Sequence, residues 1–199
     1  MRKSIDNDLI AKYLSGDEES FALLVRKYTD ETYGFAMSFI KKEDIVEDIF
    51  QDTFLKVWKN IKKFDQKKDF KTWFFQILRN TIFDWLRKKS ELPFSYFDGG
   101  DSGDDRESNI ILETISDDEE ILPHKLFEKK ESVKMVTKAL EKISPSQKEV
   151  LLLYFSEDLN FREIGEVLGE SIDTVKSRYR RALLALKKVL ENMNQMHQN

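Results

Sequence analysis

A strongly acidic stretch in the middle of the chain limits what the chain can fold into. Residues 91–120 carry 11 Asp and Glu against one Arg, a net charge of −10, and they hold three of the seven glycines. Such a stretch repels itself and offers too little apolar surface to fold alone. The residues on either side, 1–90 and 121–199, each carry a net charge of +3. We therefore expect two separately folding parts joined by an acidic, flexible linker.

Both flanking parts are expected to be helical. Seven glycines and three prolines, with 40% hydrophobic and 35% charged residues, are typical of all-α domains rather than sandwiches or barrels. Without cysteine, neither a disulfide framework nor a thiolate metal site can form. The first ten residues lack the apolar core of a signal peptide, and no apolar run approaches the roughly 20 residues of a membrane span. We expect a cytoplasmic protein with no membrane insertion.

An amphipathic helix is predicted around residues 46–61. Apolar residues at i, i+3, i+4 and i+7 mark its core face, which comprises Val46, Ile49, Phe50, Thr53, Phe54, Val57, Trp58 and Ile61. Asp44 or a nearby polar residue is expected to cap the helix. The opposite face gathers an amide and two carboxylates beside an exposed leucine: Asp48, Gln51, Asp52, Leu55 and Lys56. This face is either an ordinary solvated surface or a binding site.

A second amphipathic helix is predicted from Phe70 to about Lys89. Its expected core residues are Phe70, Trp73, Phe74, Ile77, Leu78, Ile82, Trp85 and Leu86. The remaining surface mixes cations, amides and two phenylalanines: Lys71, Phe75, Gln76, Arg79, Asn80, Phe83, Arg87, Lys88 and Lys89. Cations attract phosphates, exposed rings stack on unpaired bases, and an amide can read a base edge. The pattern favours single-stranded DNA binding, with a spill-over of the core as the alternative.

Residues 144–190 have the spacing of a helix-turn-helix. Start and stop signals divide them into three helices. Ser144 and Pro145 begin the first helix, and residues 161–168 form a short second helix that Gly169 ends. Ser171 caps a third helix that runs to about Leu190. In the third helix one stripe is apolar, namely Val175, Tyr179, Ala182, Leu186 and Val189. Another face presents Thr174, Lys176, Ser177, Arg180 and Arg181 near the N-terminus, where recognition helices meet the major groove. The alternative is a plain helical hairpin with a basic end.

No catalytic or metal-binding group emerges from the sequence. His124 lies near the acidic connector and His197 near the C-terminus, so neither has a credible partner for a metal or a triad. We also find no glycine-rich phosphate loop. We therefore expect neither enzymatic activity nor a cofactor.

Four segments together resemble the extracytoplasmic-function (ECF) sigma factors of bacterial RNA polymerase. LSGDEESFALLVRKY resembles the opening helix of that family, and VEDIFQDTFLKVW resembles its polymerase-binding helix. FKTWFFQILRNTIFDWLRKK resembles the helix that melts and reads the minus-ten element. SPSQKEVLLLYFSEDLNFREIGEVLGESIDTVKSRYRRAL resembles the domain that reads the minus-thirty-five element. Asp173 departs from the pattern, which usually has Gly before Thr-Val.

The resemblance implies partners and site residues. Core polymerase would be bound through the coiled coil of its largest catalytic subunit, by Asp48, Gln51, Asp52 and Leu55, and through its flap. Minus-ten DNA would meet Lys71, Phe75, Arg79, Asn80, Phe83, Arg87 and Lys88, with Asn80 beginning the loop that captures a flipped base. Minus-thirty-five DNA would meet Ser171, Thr174, Lys176, Ser177, Arg178, Arg180 and Arg181. The family also implies an anti-sigma partner, and an acidic linker directed toward the polymerase RNA channel.

The predicted organisation is a sigma region 2 domain at residues 1–90, a linker at 91–130, a sigma region 4 domain at 131–192 and a tail at 193–199. A DNA-binding regulator of another class, with an N-terminal helical sensor, is the alternative. It explains the helix-turn-helix but leaves the aromatic and basic surface unexplained. A helical enzyme is least favoured, because no acid, base, nucleophile or metal cluster converges.

Overall fold

The computed structural model describes residues 5–89 and 130–197, and within these ranges the regular structure is helical, without strands. The described residues form two compact units, one built on residues 5–89 and the other on most of residues 130–197. The expected all-α class with two helical parts is confirmed. The predicted linker lies almost wholly outside the described residues, as does His124.

The first unit contains four helices. They are α1 (Ile5–Leu14), α2 (Glu18–Phe39), α3 (Glu43–Asn60) and α4 (Phe70–Lys88), with a short 3-10 turn at Ile61–Lys63. The expected cap of α3 by Asp44 or a nearby polar side chain is wrong, because the helix begins at Glu43 after Lys42, whose side chain makes no capping bond. Helix α4 is capped by Asp69, whose Oδ1 accepts from the Thr72 amide at 3.1 Å.

Aromatic side chains fill the core of the first unit. Phe74 of α4 is fully buried, with ring centroids 4.6 Å from Tyr28 of α2 and 5.4 Å from Phe54 of α3. Phe70 adds a contact with Tyr28 at 5.4 Å. Tilted and edge-on pairs of this kind contribute about 0.5–1.5 kcal/mol each beyond their buried area. Helix α4 is therefore held against α2 and α3 at once.

A buried carboxylate fastens α1 to α2. Asp6 is 5% exposed and accepts hydrogen bonds from the Tyr28 hydroxyl at 2.8 Å and from the Lys27 ammonium. Burial, followed by the nearby Asp6 carboxylate, raises the pKa of Tyr28, so the phenol stays protonated and keeps donating. Asn7 adds a bond from its side-chain amide to the backbone oxygen of Gln66 at 2.9 Å. These polar contacts tie the start of the chain to the rest of the unit.

The second unit contains α5 (Lys130–Leu140), α6 (Pro145–Phe155), α7 (Phe161–Leu168) and α8 (Ile172–His197), and α5 and α6 both pack against α8. Ser144 begins α6 as predicted: its hydroxyl accepts from the Gln147 amide at 3.3 Å, and the Gln147 side chain accepts from the Ser144 amide at 3.3 Å. The expected end of α8 near Leu190 and the tail from residue 193 are wrong. The helix runs to His197 because Leu190 and Met193 continue its buried stripe.

Replacing Tyr28 with Phe should destabilise the first unit by about 1.5–3 kcal/mol, because the phenol donates to a charged acceptor. Urea unfolding followed by tryptophan fluorescence isolates this unit, since the three tryptophans are Trp58, Trp73 and Trp85. Tyr33→Phe is the matched control: its ring packs on Phe50 at 5.2 Å, but its hydroxyl makes no hydrogen bond among the described residues. Equal losses in both variants would contradict the assigned role of the Asp6 bond.

Candidate functional site

The polar face of α3 is exposed. Asp48, Gln51, Asp52 and Leu55 all face solvent, and Leu55 retains 46% of its accessible surface. Lys56 is half-buried and pairs with Asp52 at 2.8 Å, with an additional hydrogen bond to the Thr81 hydroxyl at 3.0 Å. A surface pair of this kind contributes at most about 1 kcal/mol to stability. The folding of the unit therefore does not account for this combination of carboxylates, amide and leucine.

Trp58 belongs to the exposed face rather than to the core. It was expected in the buried stripe, but 52% of its surface is accessible. It follows Leu55 by three residues and Gln51 by seven, positions that lie on one side of an α-helix. Trp58 also follows the buried Phe54 by four residues, so periodicity alone permitted either placement. The two large exposed apolar side chains Leu55 and Trp58 thus sit beside the acidic and amide groups.

Phe75 and Phe83 are core residues, and the expectation that they form an exposed stacking surface is wrong. Phe75 is 0% and Phe83 2% exposed. Phe75 packs edge-on against Phe35 at 5.5 Å, and Phe83 against Phe39 at 5.2 Å, so both rings meet α2. Because α4 buries one side against α3 and another against α2, its core covers more of the helix than a single stripe.

Two of the predicted cations of α4, Lys71 and Arg79, lie against these buried rings. The Lys71 ammonium is 5.6 Å from the Phe75 centroid, and the Arg79 guanidinium carbon is 4.9 Å from that of Phe83. Lys71 also lies 3.9 Å from Glu31. Each ring therefore supports a half-buried cation through its π face, while its apolar body stays inside.

Asn80 stands on the solvent side of α4. Its side chain is exposed, and its Oδ1 accepts from Arg79 Nη1 at 3.3 Å. Trp73, two turns earlier on the same side, is only half-buried although it was expected in the core. Arg87 and Lys88 are exposed near the end of the helix, where Arg87 pairs with Asp84. Trp73 is therefore a partly accessible aromatic ring on the same side of α4 as Asn80.

A run of exposed lysines follows the acidic face and was not singled out from the sequence. The exposed cations are Lys59 in the last turn of α3 and, between α3 and α4, Lys62, Lys63, Lys67 and Lys68. Asp65 Oδ1 accepts from the Lys67 amide at 3.0 Å, and its carbonyl accepts from the Lys68 amide at 2.9 Å. The signal was visible in the segment KNIKKFDQKK. The turn holds these cations on a defined backbone.

The turn between α7 and α8 is closely packed. Gly169 has φ +72°, a left-handed conformation that glycine adopts without steric cost, which agrees with its predicted role as a helix breaker. A Cβ on Gly165 would lie 2.8 Å from the Glu170 carbonyl oxygen, so this position also requires glycine. Ser171 caps α8 as predicted, because its hydroxyl accepts from the Thr174 amide at 3.2 Å. The start of α8 is therefore well defined.

Aromatic packing holds α8 against α6 and α7. The Tyr179 ring lies 4.7 Å from Tyr154 and 5.0 Å from Phe161. Burial, followed by the influence of Tyr154, raises the pKa of Tyr179, so the ring remains neutral. The predicted stripe is otherwise buried at Val175, Ala182 and Leu186. The other side of the helix, near its N-terminus, carries exposed Ser171 and Thr174 and half-buried Lys176, Ser177, Arg180 and Arg181.

Arg178 differs from the other predicted DNA-facing residues. Its side chain is 12% exposed, and its Nη2 lies 2.6 Å from Glu170 Oε1. Expected in the minus-thirty-five surface, Arg178 is instead paired with the residue that precedes the cap of α8. Single-helix periodicity could not reveal this, because Glu170 comes from the turn.

Among the described residues, no group of His, Cys, Asp and Glu is arranged to hold a metal ion. No helix in residues 5–89 or 130–197 is long and apolar enough to cross a membrane.

Comparison with known proteins places both units in one family. Residues 24–91 match Sigma-70 region 2, and residues 139–188 match Sigma-70, region 4. The chain is 29% identical over 187 residues to the ECF RNA polymerase sigma factor SigW of Bacillus subtilis, covering 92% of this chain and 96% of SigW. It is 31% identical over 172 residues to the RNA polymerase sigma factor SigV of the same organism, covering 83% and 90%.

Two solved structures are also similar. CnrH, in complex with the cytosolic domain of CnrY, has a TM-score of 0.65 at 25% identity, covering 94% of this chain and 97% of CnrH. The sigma factor RpoE of Bartonella quintana, in complex with the anti-sigma factor NepR, has a TM-score of 0.60 at 26% identity, covering 88% and 97%.

Proposed function

Because the chain belongs to the sigma-70 family as an ECF-type sigma factor, which serves promoter-specific transcription initiation by RNA polymerase, we propose that three of its surfaces divide this task. The exposed face of α3 binds core polymerase, the Asn80 side of α4 opens and reads the minus-ten element, and α8 reads the minus-thirty-five element. The observation that carries the proposal is that region 2 and region 4 match the two helical units, in order. A regulator with an N-terminal sensor would not account for region 2.

The first surface is defined by Asp48, Gln51, Asp52, Leu55 and Trp58. Protein interfaces place aromatic and aliphatic anchors at the centre and polar groups at the rim. On α3 the exposed Leu55 and Trp58 supply such anchors, and the two carboxylates and the amide supply the rim. From the family resemblance, we assign this face to binding the coiled coil of the largest catalytic subunit. We assign region 4 to binding the flap.

Changing Asp48 and Gln51 together to Ala should weaken binding to core polymerase without loss of helix content, because both side chains are exposed. Trp58→Ala should weaken it by about 2 kcal/mol or more if the ring is an anchor. Competition for core polymerase against a labelled wild-type chain measures both effects. Asp30→Ala, an exposed carboxylate on α2, is the control and should compete normally. Unchanged competition by the α3 variants would reject the assignment.

The second surface combines Asn80 with Trp73 and the cations of α4. Extruding a base costs a few kcal/mol of stacking and pairing, which contacts to the flipped base must offset. The Asn80 amide provides a donor and an acceptor for a base edge, and the half-buried Trp73 provides a face for stacking. Lys71, Arg79, Arg87 and Lys88 supply charge for the phosphates, and the lysines between α3 and α4 extend it. We no longer assign stacking to Phe75 or Phe83, since both are buried.

Asn80→Ala should leave competition for core polymerase normal but reduce open-complex formation and blur the preference at one minus-ten position. Permanganate footprinting on promoters varied at each minus-ten base measures melting and selectivity together. Asp30→Ala removes an exposed polar side chain from α2, outside this surface, and is the control that should melt promoters normally. If Asn80→Ala melts every promoter variant with wild-type efficiency and selectivity, Asn80 is only a surface residue of α4.

The third surface is the N-terminal part of α8, with Ser171, Thr174, Lys176, Ser177, Arg180 and Arg181. A helix that enters the major groove reads bases with residues near its N-terminus, and Arg pairs with guanine in two hydrogen bonds. The capped turn and the Tyr179 packing hold this part of α8 in place. These features support duplex recognition by the second unit.

Arg180→Ala should weaken holoenzyme binding by roughly 1–3 kcal/mol and relax specificity at one minus-thirty-five position if Arg180 pairs with a base. A phosphate contact would instead weaken all sequences alike and reduce the salt slope by about 0.9. Quantitative binding to a minus-thirty-five library at several salt concentrations separates these results. Lys188→Ala removes one charge from the same helix, two turns after Arg181, and should change neither quantity. Wild-type binding by Arg180→Ala would exclude Arg180 from the DNA surface.

Three further assignments follow from family membership. The similar structure of the sigma factor RpoE bound to the anti-sigma factor NepR supports an anti-sigma partner for this chain. The charge of the acidic connector supports a place near the RNA channel of polymerase. The chain itself performs no catalysis, needs no cofactor and acts in the cytoplasm with the polymerase.

A further inference from the structure

Among the arginines near the start of α8, Arg178 is committed to a contact within the protein. Its guanidinium lies 2.6 Å from Glu170 Oε1, and the two side chains are 12% and 26% exposed. A charge-assisted bond of this length is about twice as strong as a bond between neutral groups. With only 12% of its side chain exposed, Arg178 directs its guanidinium toward Glu170 rather than toward solvent.

Glu170 is itself fixed by the turn. Its amide donates to the Gly165 carbonyl at 2.9 Å, and its own carbonyl lies where a side chain on Gly165 would stand. The next residue, Ser171, caps α8. The Arg178 bond thus connects the second turn of α8 to a backbone position held against α7.

Loss of Arg178 would leave Glu170 in an unfavourable state. Glu170 Oε2 is buried and accepts no hydrogen bond among the described residues, so Arg178 is the main compensation for this carboxylate. An unpaired, partly buried charge moves toward water or draws water in. Either response would disturb the turn from which α8 begins.

We propose that the Glu170–Arg178 ion pair is a positioning element, which sets the direction of α8 relative to α7 and so aligns Lys176, Ser177, Arg180 and Arg181 with the bases. Arg178 is then a positioning residue and not a DNA contact. This inference rests on the proposed reading of minus-thirty-five DNA by α8.

The two possible roles of Arg178, DNA contact and positioning residue, predict different results when Glu170 loses its charge. Glu170→Gln removes a negative charge close to the DNA surface. If Arg178 were a DNA contact, this change would release it and maintain or increase affinity. If the pair positions α8, the same change lowers discrimination between correct and incorrect minus-thirty-five sequences although the protein becomes more basic.

The test uses the full chain with core polymerase. Its probe is a promoter selected by the wild-type holoenzyme from a randomised library, and the reference is the same promoter with a scrambled minus-thirty-five element. The ratio of the two affinities is measured for Glu170→Gln, Arg178→Gln and the double variant. Partial unfolding lowers both affinities equally and leaves the ratio unchanged, so the ratio reports alignment.

We expect each single change to lower the ratio on the order of tenfold, the size of a lost base contact, and the double change to lower it no further than the larger single effect. Residues acting as one pair are non-additive in this way. The double variant also retains no unpaired buried charge, so it tests the inference even if a single variant folds poorly. A normal ratio for Glu170→Gln with a reduced ratio for Arg178→Gln would overturn the proposal and make Arg178 a DNA contact.

The proposed function fails in a different way. If Arg180→Ala and Lys176→Ala both leave the ratio at its wild-type value, α8 does not read the element, and the fault lies with the assignment of the surface. If these variants lower the ratio while Glu170→Gln and the double variant do not, the surface assignment stands and the positioning role is wrong.

Discussion

Helix α4 is held on two sides by aromatic packing, and the first unit depends on this arrangement. Phe74 meets Tyr28 at 4.6 Å and Phe54 at 5.4 Å, while Phe75 meets Phe35 at 5.5 Å. Because interiors are packed as densely as crystals, such a helix has little freedom to rotate or slide. What remains exposed is a narrow strip that includes Asn80. The same packing that stabilises the unit therefore fixes which side chains α4 presents on the surface proposed to bind minus-ten DNA.

Periodicity predicted those parts of the fold that depend on one neighbour. Helix α3 has a buried face against the core and a free face, so its exposed residues Asp48 and Gln51 were found from the sequence. The helix-turn-helix was also found, because its signals at Ser144, Gly169 and Ser171 are local backbone requirements. These features need no knowledge of distant contacts.

The errors arose where a second neighbour decides the outcome. Phe75 and Phe83 are buried because α2 covers a side of α4 that a single apolar stripe leaves free. Trp58 stands at the edge of its stripe, where periodicity permits either face, and 52% of its surface is exposed. Arg178 has a side chain suited to a DNA contact, but it pairs with the Glu170 carboxylate from the turn. The sequence shows which residue types are present, but their contacts depend on how distant segments pack together.

In the proposed division of the task, the two units face different recognition problems. A duplex presents base edges in a fixed order, so a reading helix must approach at a set angle. Near the start of α8, the elements that suit this role are a cap, two glycines and an ion pair. An unpaired base has no fixed position, and it must be held by stacking and hydrogen bonding on a rigid surface. The doubly buried α4 provides rigidity, and it carries the exposed Asn80 and the half-buried Trp73 on one side, two turns apart. The net charge of −4 obscures this division, because attraction to phosphate depends on the cations near each surface rather than on the total.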